Sequence, residues 1–420
     1  MSERLDETAR KALDSACSHV AEAGDADAVD GVGASLVARP ADTAEAAEVL
    51  RAASGHGLAV VPRGRGTKMT WGRPPRRVDV VLDLSAMDQV VDHAAGDLIV
   101  EAQAGTTLAD VQAVVAQAGQ RLAIDETVPG ASVGGTLATA TSGPGRVAFG
   151  TARDLLIGVT VVRADGVVAR AGGRVVKNVA GYDLGKLVIG SFGTLAVLTQ
   201  AVFRLHPLPA ARRFVSVPVA DPAAAHAATQ AVIHAQVVPA AVEVDWPSEG
   251  TGTLTVELQG IPEGVSGRTT TTLGLLGGEA SADDDPPPGW ASYPWSLEAR
   301  GDARDTALKL TFAISGLPDV LSAARSVDVP LTLRGSAGAG VVYGSVPAEA
   351  DDTALSAALD RLREVCARHG GSVVVLDAAA GVKQALDTWG PVPGLDLMRR
   401  VKEQFDPDHR LAPARFVGGI

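Results

Sequence analysis

The hydrophobic pattern gives the chain two textures, and the change comes near Phe214. Upstream, Ala9, Leu13, Cys17 and Val20 share one helical face, which predicts an amphipathic helix over residues 6–22. A Gly- and Asp-rich link, Gly24 to Gly33, follows it. Asp42 and Glu45 stand at the spacing of an N-cap and its partner, so a helix is predicted to run to Ser54 and stop at Gly55. The unbroken apolar run Leu58-Ala59-Val60-Val61 predicts a buried strand that feeds the loop Pro62–Thr67. Further strands are predicted at 78–84 and 98–102. A helix from Leu108 to Ala118 starts after Thr106-Thr107 and closes at Gly119. Residues 155–162 and 167–170, with Asp165-Gly166 between them, predict a β-hairpin, and a last strand covers 195–205. This alternation indicates an α+β domain with mixed sheets.

Downstream the order is strand 213–219, helix 221–236, strands 240–245 and 252–259, then a helix near 265–275. After an Asp/Pro-rich interruption, Asp283 to Pro288, a similar order returns. It runs strand 307–314, helix 317–326, strands 330–335 and 339–346, helix 351–369 and strand 372–376. Two such rounds predict a duplicated ferredoxin-like β-α-β unit, and the interruption is expected to be a mobile surface loop. The organisation is therefore an N-terminal helix and linker (1–34), a glycine-rich domain (35–209), the duplicated domain (210–390), and a C-terminal segment (391–420) of short helix and Pro-rich tail.

A length of 420 residues is too great for one ordinary core, which agrees with this division. Apolar residues make up 46% and charged residues 20%, the balance of a globular protein. Aromatic residues supply only 4%, so the cores must be built from small aliphatic side chains. The net charge of −12 argues against nucleic acid as a partner. The densest basic stretch, Arg73 to Arg77, is short and interrupted by two prolines, and reads as a solvated loop or a local anion site. Cys17 and Cys366 cannot by themselves make a disulfide framework, an iron–sulfur cluster or a zinc site. Both fall at apolar helical positions and read as buried thiols. Neither a basic leader nor an apolar run of spanning length is visible. The expectation is a cytoplasmic protein without direct membrane insertion, with association to a membrane through partners left open.

Three glycine-rich stretches carry the chemistry. In Pro62-Arg63-Gly64-Arg65-Gly66-Thr67, alternate glycines let the backbone turn its N–H groups toward one point, an anion-binding nest flanked by arginines. Gly130-Ala131-Ser132-Val133-Gly134-Gly135-Thr136, continuing to Ser142-Gly143-Pro144-Gly145, permits close approach of main chain to a flat or extended ligand. Gly190-Ser191-Phe192-Gly193-Thr194-Leu195 precedes the last strand of the domain. None fits G-x-G-x-x-G, since the frame from Gly64 has Met69 where the third glycine belongs, and no Walker A motif occurs. A Rossmann enzyme and a P-loop NTPase are both excluded.

The run Gly172-Gly173-Arg174-Val175-Val176-Lys177-Asn178-Val179-Ala180-Gly181-Tyr182-Asp183-Leu184, followed by Gly190–Leu195, resembles the vanillyl-alcohol oxidase/p-cresol methylhydroxylase (PCMH-type) superfamily of FAD proteins. Within it the resemblance is to the E-type FAD-binding subunits of bacterial glycolate oxidases. Arg153-Asp154 and Phe405-Asp406-Pro407 support it, and the similarity covers about Arg39 to Pro209 and returns near the C-terminus. It implies a PCMH-type two-subdomain FAD-binding fold, with the duplicated unit as a cap over the flavin. Pro62, Arg63, Gly64, Arg65, Gly66, Thr67 and Lys68 would hold the pyrophosphate. Pro129, Gly130, Ala131, Ser132, Gly134, Gly135, Thr139, Ser142 and Gly143 would meet the cofactor through main chain and small side chains. So would Gly190, Gly193, Thr194, Leu195, Ala196 and Val197. Asp154, Asn178, Gly181, Tyr182 and Asp183 would shape the pocket floor. Covalent members attach flavin through His or Cys near such loops, but here Thr67-Lys68-Met69 continues the first loop, so noncovalent FAD is expected.

The eight histidines are scattered, with His226 and His234 about two helix turns apart on an exposed face, and no metal site is expected. His409, in a tail that would return to the flavin, is the histidine to test as proton acceptor. Arg146, Arg153 and Arg334 are candidates for a substrate carboxylate. Relatives often end Asn-Pro-Gly where this chain has Ala412-Pro413-Ala414, a departure that puts independent catalysis in doubt. The resemblance implies an FAD-dependent oxidoreductase subunit for glycolate or a related 2-hydroxy acid, working with a second flavoprotein and an iron–sulfur subunit. The alternatives are an FAD-binding structural or electron-relay subunit, and a stand-alone oxidase that uses dioxygen.

Overall fold

The structure is a computed structural model that describes residues 6–174 and 183–420. They fall into two compact units. One comprises residues up to Thr141, 151–208 and 392–420; the other comprises 142–150 and 209–391.

The first unit contains two main sheets. Strands β1 (Val20–Glu22), β2 (Leu36–Ala38), β3 (Val60–Arg63) and β4 (Val80–Asp83) lie in the order β1-β2-β4-β3, with β4 parallel to both β2 and β3. The helix Thr43–Gly55 crosses from β2 to β3, which run parallel on either side of β4. The Asp42 carboxylate accepts from the amides of Ala44 and Glu45 at 2.8 and 2.9 Å. Ala46, Val49, Leu50 and Ala53 of that helix share one core with Val60, Val80 and Leu82. The N-terminal helix is shorter than its periodicity predicts, spanning Glu7–Ala16. Cys17 is extended and Val20–Glu22 pairs with β2, so Val20 fits the helical spacing but belongs to a ladder.

The second sheet is antiparallel, in the order β5-β6-β10-β8-β9. Its strands are β5 (Val90–Ala94), β6 (Ile99–Gln103), β8 (Leu156–Val162), β9 (Val168–Gly172) and β10 (Val197–Arg204), while β7 (Gln120–Arg121) and β11 (His206–Pro207) pair separately. The β8–β9 hairpin turns at Asp165-Gly166, with Gly166 at φ +77°. Thr107 caps the helix Leu108–Ala116, which buries Leu108, Val111 and Val115 with Val100, Ala102 and Phe203. The second glycine stretch forms a helix, Val133–Thr139, capped by Ser132.

The C-terminal segment completes this unit. Helix Leu395–Phe405 carries Lys402, whose fully buried Nζ donates to Thr194 O (2.7 Å), Asp406 Oδ2 (2.7 Å) and Leu411 O (3.1 Å). Beyond it, Val60 N donates to Arg410 O and Ala412 N to Val60 O, which lays the tail parallel to β3. Arg73 N and Arg76 N donate to Arg415 O and Pro413 O, so the backbone of the basic stretch is pinned while both side chains are exposed. Ala412 and Ala414 have φ of +43° and +71°, a region Asn and Gly enter most easily.

The second unit is one eight-stranded antiparallel sheet, β15-β12-β14-β13-β17-β18-β16-β19. Its strands are β12 (Ala211–Val219), β13 (Ala241–Trp246), β14 (Gly252–Gly260), β15 (Ser281–Asp283), β16 (Thr306–Thr311), β17 (Thr332–Ser336), β18 (Val341–Val346) and β19 (Ser372–Asp377). In chain order each half is arranged 4-1-3-2, the ferredoxin-like order, and the halves join where β13 pairs with β17. Helices Pro222–Ile233, Pro262–Leu276, Leu317–Ser326 and Asp352–Arg368 supply the core against Val215, Val242, Val244, Leu254, Leu308 and Leu333. Tyr293 and Trp295 stack at 4.5 Å, and Tyr343 meets Tyr293 edge-on at 4.7 Å. Residues 281–286 are exposed, although the first three form β15 rather than loop. Both cysteines are buried, and burial pushes the Cys366 thiol up to about 12. Among the described residues no helix is long and apolar enough to cross a membrane.

Two stability outcomes follow. Asp406→Asn leaves the Lys402 ammonium buried without its counter-charge, at an expected cost of about 3 kcal/mol in denaturant unfolding. Ala414→Gly relieves a left-handed alanine, and an unfolding midpoint raised by about 1 kcal/mol is expected; an unchanged midpoint contradicts the strain.

Candidate functional site

The first glycine loop leaves the end of β3 and forms one wall of a cleft of about 690 Å³, part of it open to solvent. The cleft brings together Pro62, Gly64, Arg65, Gly66, Thr67 and Lys68 from the first stretch, Ser132, Gly134, Gly135 and Thr139 from the second, and Gly193 and Ala196 from the third. A Cβ at Gly64 would stand 2.1 Å from Ser132 Oγ, and one at Gly193 would stand 2.8 Å from Pro62 Cγ. These glycines are needed because three segments meet where no side chain fits.

The three stretches differ in what they offer a ligand. Gly190 N and Phe192 N donate to Leu137 O and Ala138 O, which fastens the third loop to helix Val133–Thr139. The amides of Val133 and Gly134 donate to Thr106 O and Ala104 O, Gly135 N donates to Ser132 Oγ, and Gly130 N donates to Glu126 Oε1. By contrast, among the described residues no amide from Gly64 to Lys68 donates to a main-chain carbonyl. Polar backbone groups beside a cleft seek a partner, and here the first loop keeps several without a main-chain acceptor among the described residues.

The charges are also uneven. Among the described residues, Arg65, Lys68 and Arg415 are the ionisable ones of the lining, with no carboxylate beside them. Both flanking arginines have protein partners. Arg63 pairs with Asp27 (2.8 Å) and Asp83 (3.0 Å), and Arg65 donates to Gly105 O (2.9 Å) and pairs with Asp88 (3.3 Å). Arg415 Nη2 donates to Met69 O (2.7 Å) and Trp71 O (2.6 Å). Lys68 is only 7% exposed, and its Nζ has no hydrogen-bond partner among the described residues. Burial brings this ammonium down to about 8, with Glu126 acting in the opposite direction.

The other residues selected from sequence lie elsewhere. Pro129, Gly130, Ala131, Gly190, Thr194, Leu195 and Val197 are outside the lining; Thr194 serves instead as the acceptor for Lys402. Asp154 caps helix Ala152–Leu155, and bonds from the Thr151 amide and hydroxyl hold its carboxyl below the usual range although burial opposes them. Asp183 caps Leu184–Val188 and pairs with Lys186 at 2.9 Å. Ser142 and Gly143 belong to the second unit, where Ser142 O accepts from Tyr343 OH at 3.3 Å. Asn178, Gly181 and Tyr182 lie outside the described residues. Met69, Leu84, Ala104, Ala138, Phe192, Leu198 and Arg415 line the cleft without having been singled out. Phe192 sits at φ +55° and stacks on Phe416 at 5.8 Å, so the tail helps to shape the wall.

Of the catalytic candidates, His409 Nε2 is 2.7 Å from Glu403 and Arg334 is paired with Asp245 at 2.9 Å. Arg146 differs, because its Nη1 is buried without a partner among the described residues. Among those residues no group of three or more His, Cys, Asp or Glu could hold a metal ion.

Residues 34–172 match the FAD binding domain family, and residues 302–416 match the C-terminal domain of FAD linked oxidases. The glycolate oxidase subunit GlcD of Bacillus subtilis is 30% identical over 214 residues, covering 50% of this chain and 46% of that protein. An uncharacterized FAD-linked oxidoreductase of Mycobacterium tuberculosis is 27% identical over 416 residues, covering 91% and 90%. The glycolate oxidase subunit GlcE of Escherichia coli is 43% identical over 81 residues, 19% and 23% of the two chains. The chain thus spans less than half the length of these glycolate oxidase subunits. Among solved structures, alkyldihydroxyacetonephosphate synthase superposes with a TM-score of 0.66 at 18% identity, covering 91% of this chain and 76% of that one, a likeness of fold. The chain carries an FAD binding domain and a C-terminal domain of the FAD linked oxidases, and FAD is its cofactor. The residues present suit that group: free amides and an orphaned buried cation for a diphosphate, and the apolar side chains of Leu84, Ala138, Phe192 and Leu198 for flat rings.

Gly64→Ala is expected to yield folded protein with little bound flavin, read as the ratio of visible to ultraviolet absorbance beside an unchanged far-ultraviolet circular dichroism spectrum. Full flavin content in that variant would remove the first loop from the site.

Proposed function

We propose that this chain, which joins an FAD binding domain to a C-terminal domain of the FAD linked oxidases, is an FAD-dependent oxidoreductase subunit that oxidises glycolate or a related 2-hydroxy acid. The observation that carries the reading is the cleft with three cations and no carboxylate in a chain of net charge −12. Among the described residues no His or Cys belongs to that lining, which supports noncovalent FAD. FAD, when bound, supplies a two-electron acceptor for the hydride that leaves the substrate Cα. The first loop and Lys68 hold the diphosphate, and the apolar wall excludes water from the rings. Arg146 is the favoured residue for the substrate carboxylate, because its Nη1 is buried and uncommitted while Arg334 is already matched by Asp245. His409 stays a weak candidate for the hydroxyl proton, since Glu403 engages its ring.

The likeness to GlcE, and the run Gly172–Leu184, support the finer assignment to a component of that type. A second flavoprotein and an iron–sulfur subunit are the proposed partners, because two buried cysteines offer no onward route for electrons within this chain. A second reading, an FAD-binding electron-relay subunit without turnover, is favoured by one observation: both His409 and Arg334 are tied to carboxylates.

The decisive measurement is the visible spectrum, first before and after acid precipitation and then during anaerobic titration with glycolate and D-lactate. Flavin bands that move to the supernatant in acid, and that bleach on addition of a 2-hydroxy acid, are expected. Arg146→Ala should lower kcat/KM roughly tenfold to a hundredfold. No bleaching by any 2-hydroxy acid, with partner subunits supplied, rejects the first reading. Unchanged activity of the complex after His409→Gln and Arg334→Ala, with the flavin of the isolated chain unbleached by the same acids, selects the second.

A further inference from the structure

The unexplained feature of the cleft is a lysine with nothing to hold its proton. Lys68 Nζ is buried without a partner among the described residues, whereas the two arginines beside it are already bonded. A buried ammonium without a partner is costly, and the usual outcome is loss of its proton. The groups around it divide unequally. Arg65 and Arg415 share the lining, burial disfavours the charge on Lys68, and Glu126 is the carboxylate that favours it. Glu126 itself is engaged, accepting from Gly130 N at 2.9 Å. The adjoining amides of Gly64, Arg65, Gly66 and Thr67 point to the same need, since they add donors and no acceptor.

We propose that FAD binding is coupled to the protonation of Lys68: the cofactor diphosphate binds beside the ammonium, so where the amine has lost its proton in the free chain it regains one from solvent as FAD arrives, and the chain releases FAD as pH rises. The inference rests on FAD being the ligand of this cleft. Its sign follows from the local charges. Without the cofactor, burial leaves Lys68 titrating at about 8. Two phosphate charges beside Nζ favour the ammonium and move its titration upward. At pH 7 the group is protonated in both states, so affinity there is insensitive to pH. Between about 8 and the higher value of the complex, the bound state carries more protons, and affinity falls by up to roughly tenfold per pH unit. Arg65 and Arg415 stay charged throughout and add no such dependence.

The experiment uses the full chain stripped of flavin, with FAD affinity measured by fluorescence from pH 6.5 to 9. Calorimetry at pH 8.5 in two buffers of different ionisation enthalpy counts the protons. For the native chain an affinity that is constant near pH 7 and falls by up to roughly tenfold per pH unit above about pH 8, with net proton uptake at pH 8.5, is expected. Lys68→Met should bind FAD more weakly at pH 7, with no pH slope and no proton uptake. Riboflavin, which lacks the diphosphate, should show no slope on the native chain. Zero proton uptake by the native chain, or the native slope preserved in Lys68→Met, overturns the proposal while leaving FAD as the cofactor. Failure of the native chain to bind FAD at any pH removes the cofactor reading itself. The proton count on the native chain decides the matter even where a variant does not fold.

Discussion

The buried ammonium of Lys402 is the constraint on which the glycine-rich unit depends. A single Nζ holds the carbonyl of Thr194, the carbonyl of Leu411 and the carboxylate of Asp406, bringing the third glycine loop to the C-terminal tail. Asp406 Oδ2 also accepts from Leu411 N at 2.7 Å, so the pair is embedded in a small network. Burial pushes the Lys402 ammonium down and Asp406 opposes it, and the geometry favours the charged pair. Because Thr194 closes the third glycine loop and Leu411 aligns with β3, this one cation fixes both the floor of the cleft and the tail that delivers Arg415 and Phe416 to it.

The same unit treats its cations in two ways. Arg63, Arg39 and Asp83 form a knot behind the first loop, with Arg39 and Arg63 at 3.1 and 3.0 Å from one carboxylate oxygen. Those ion pairs tie β3 to β4 and to the residue that follows β2. Lys68 is left without such a partner at the cleft, a local departure from satisfied polarity that marks binding sites more than scaffolds. An acidic chain can thus attract an anionic cofactor without a basic surface, by withholding carboxylates from one lining.

Much of this was readable from residue order. The duplicated β-α-β pattern follows directly from apolar periodicity, because all four helices bury one stripe against one sheet. Glycine at Gly64 and Gly193 was legible as close approach, although not which segments meet. Helix Val133–Thr139 was hidden, since its glycines carry no stripe and its start is fixed by the Ser132 cap and by bonds to Thr106 and Ala104. Whether an arginine faces a ligand or a carboxylate depends on residues distant in sequence, so Arg63 looked free and is not. Arg415 was missed for the converse reason: its carbonyl partners Met69 and Trp71 lie far away along the chain. The Ala412-Pro413-Ala414 departure was visible, but its meaning is conformational, as two alanines hold left-handed backbone.

The end-to-end joining of the two ferredoxin-like halves has a consequence for solubility. Separate halves would expose four strand edges, each able to recruit another chain, and pairing β13 with β17 removes two of them. Of the two that remain, β15 is three exposed residues long and leads into Asp284 and Asp285, whose charges repel an incoming strand. The other, β19, is shielded where Val375 N donates to Thr388 O at 2.7 Å. The fusion therefore acts as protection against aggregation, and a break at the β13–β17 seam would expose two apolar strands to every neighbouring copy.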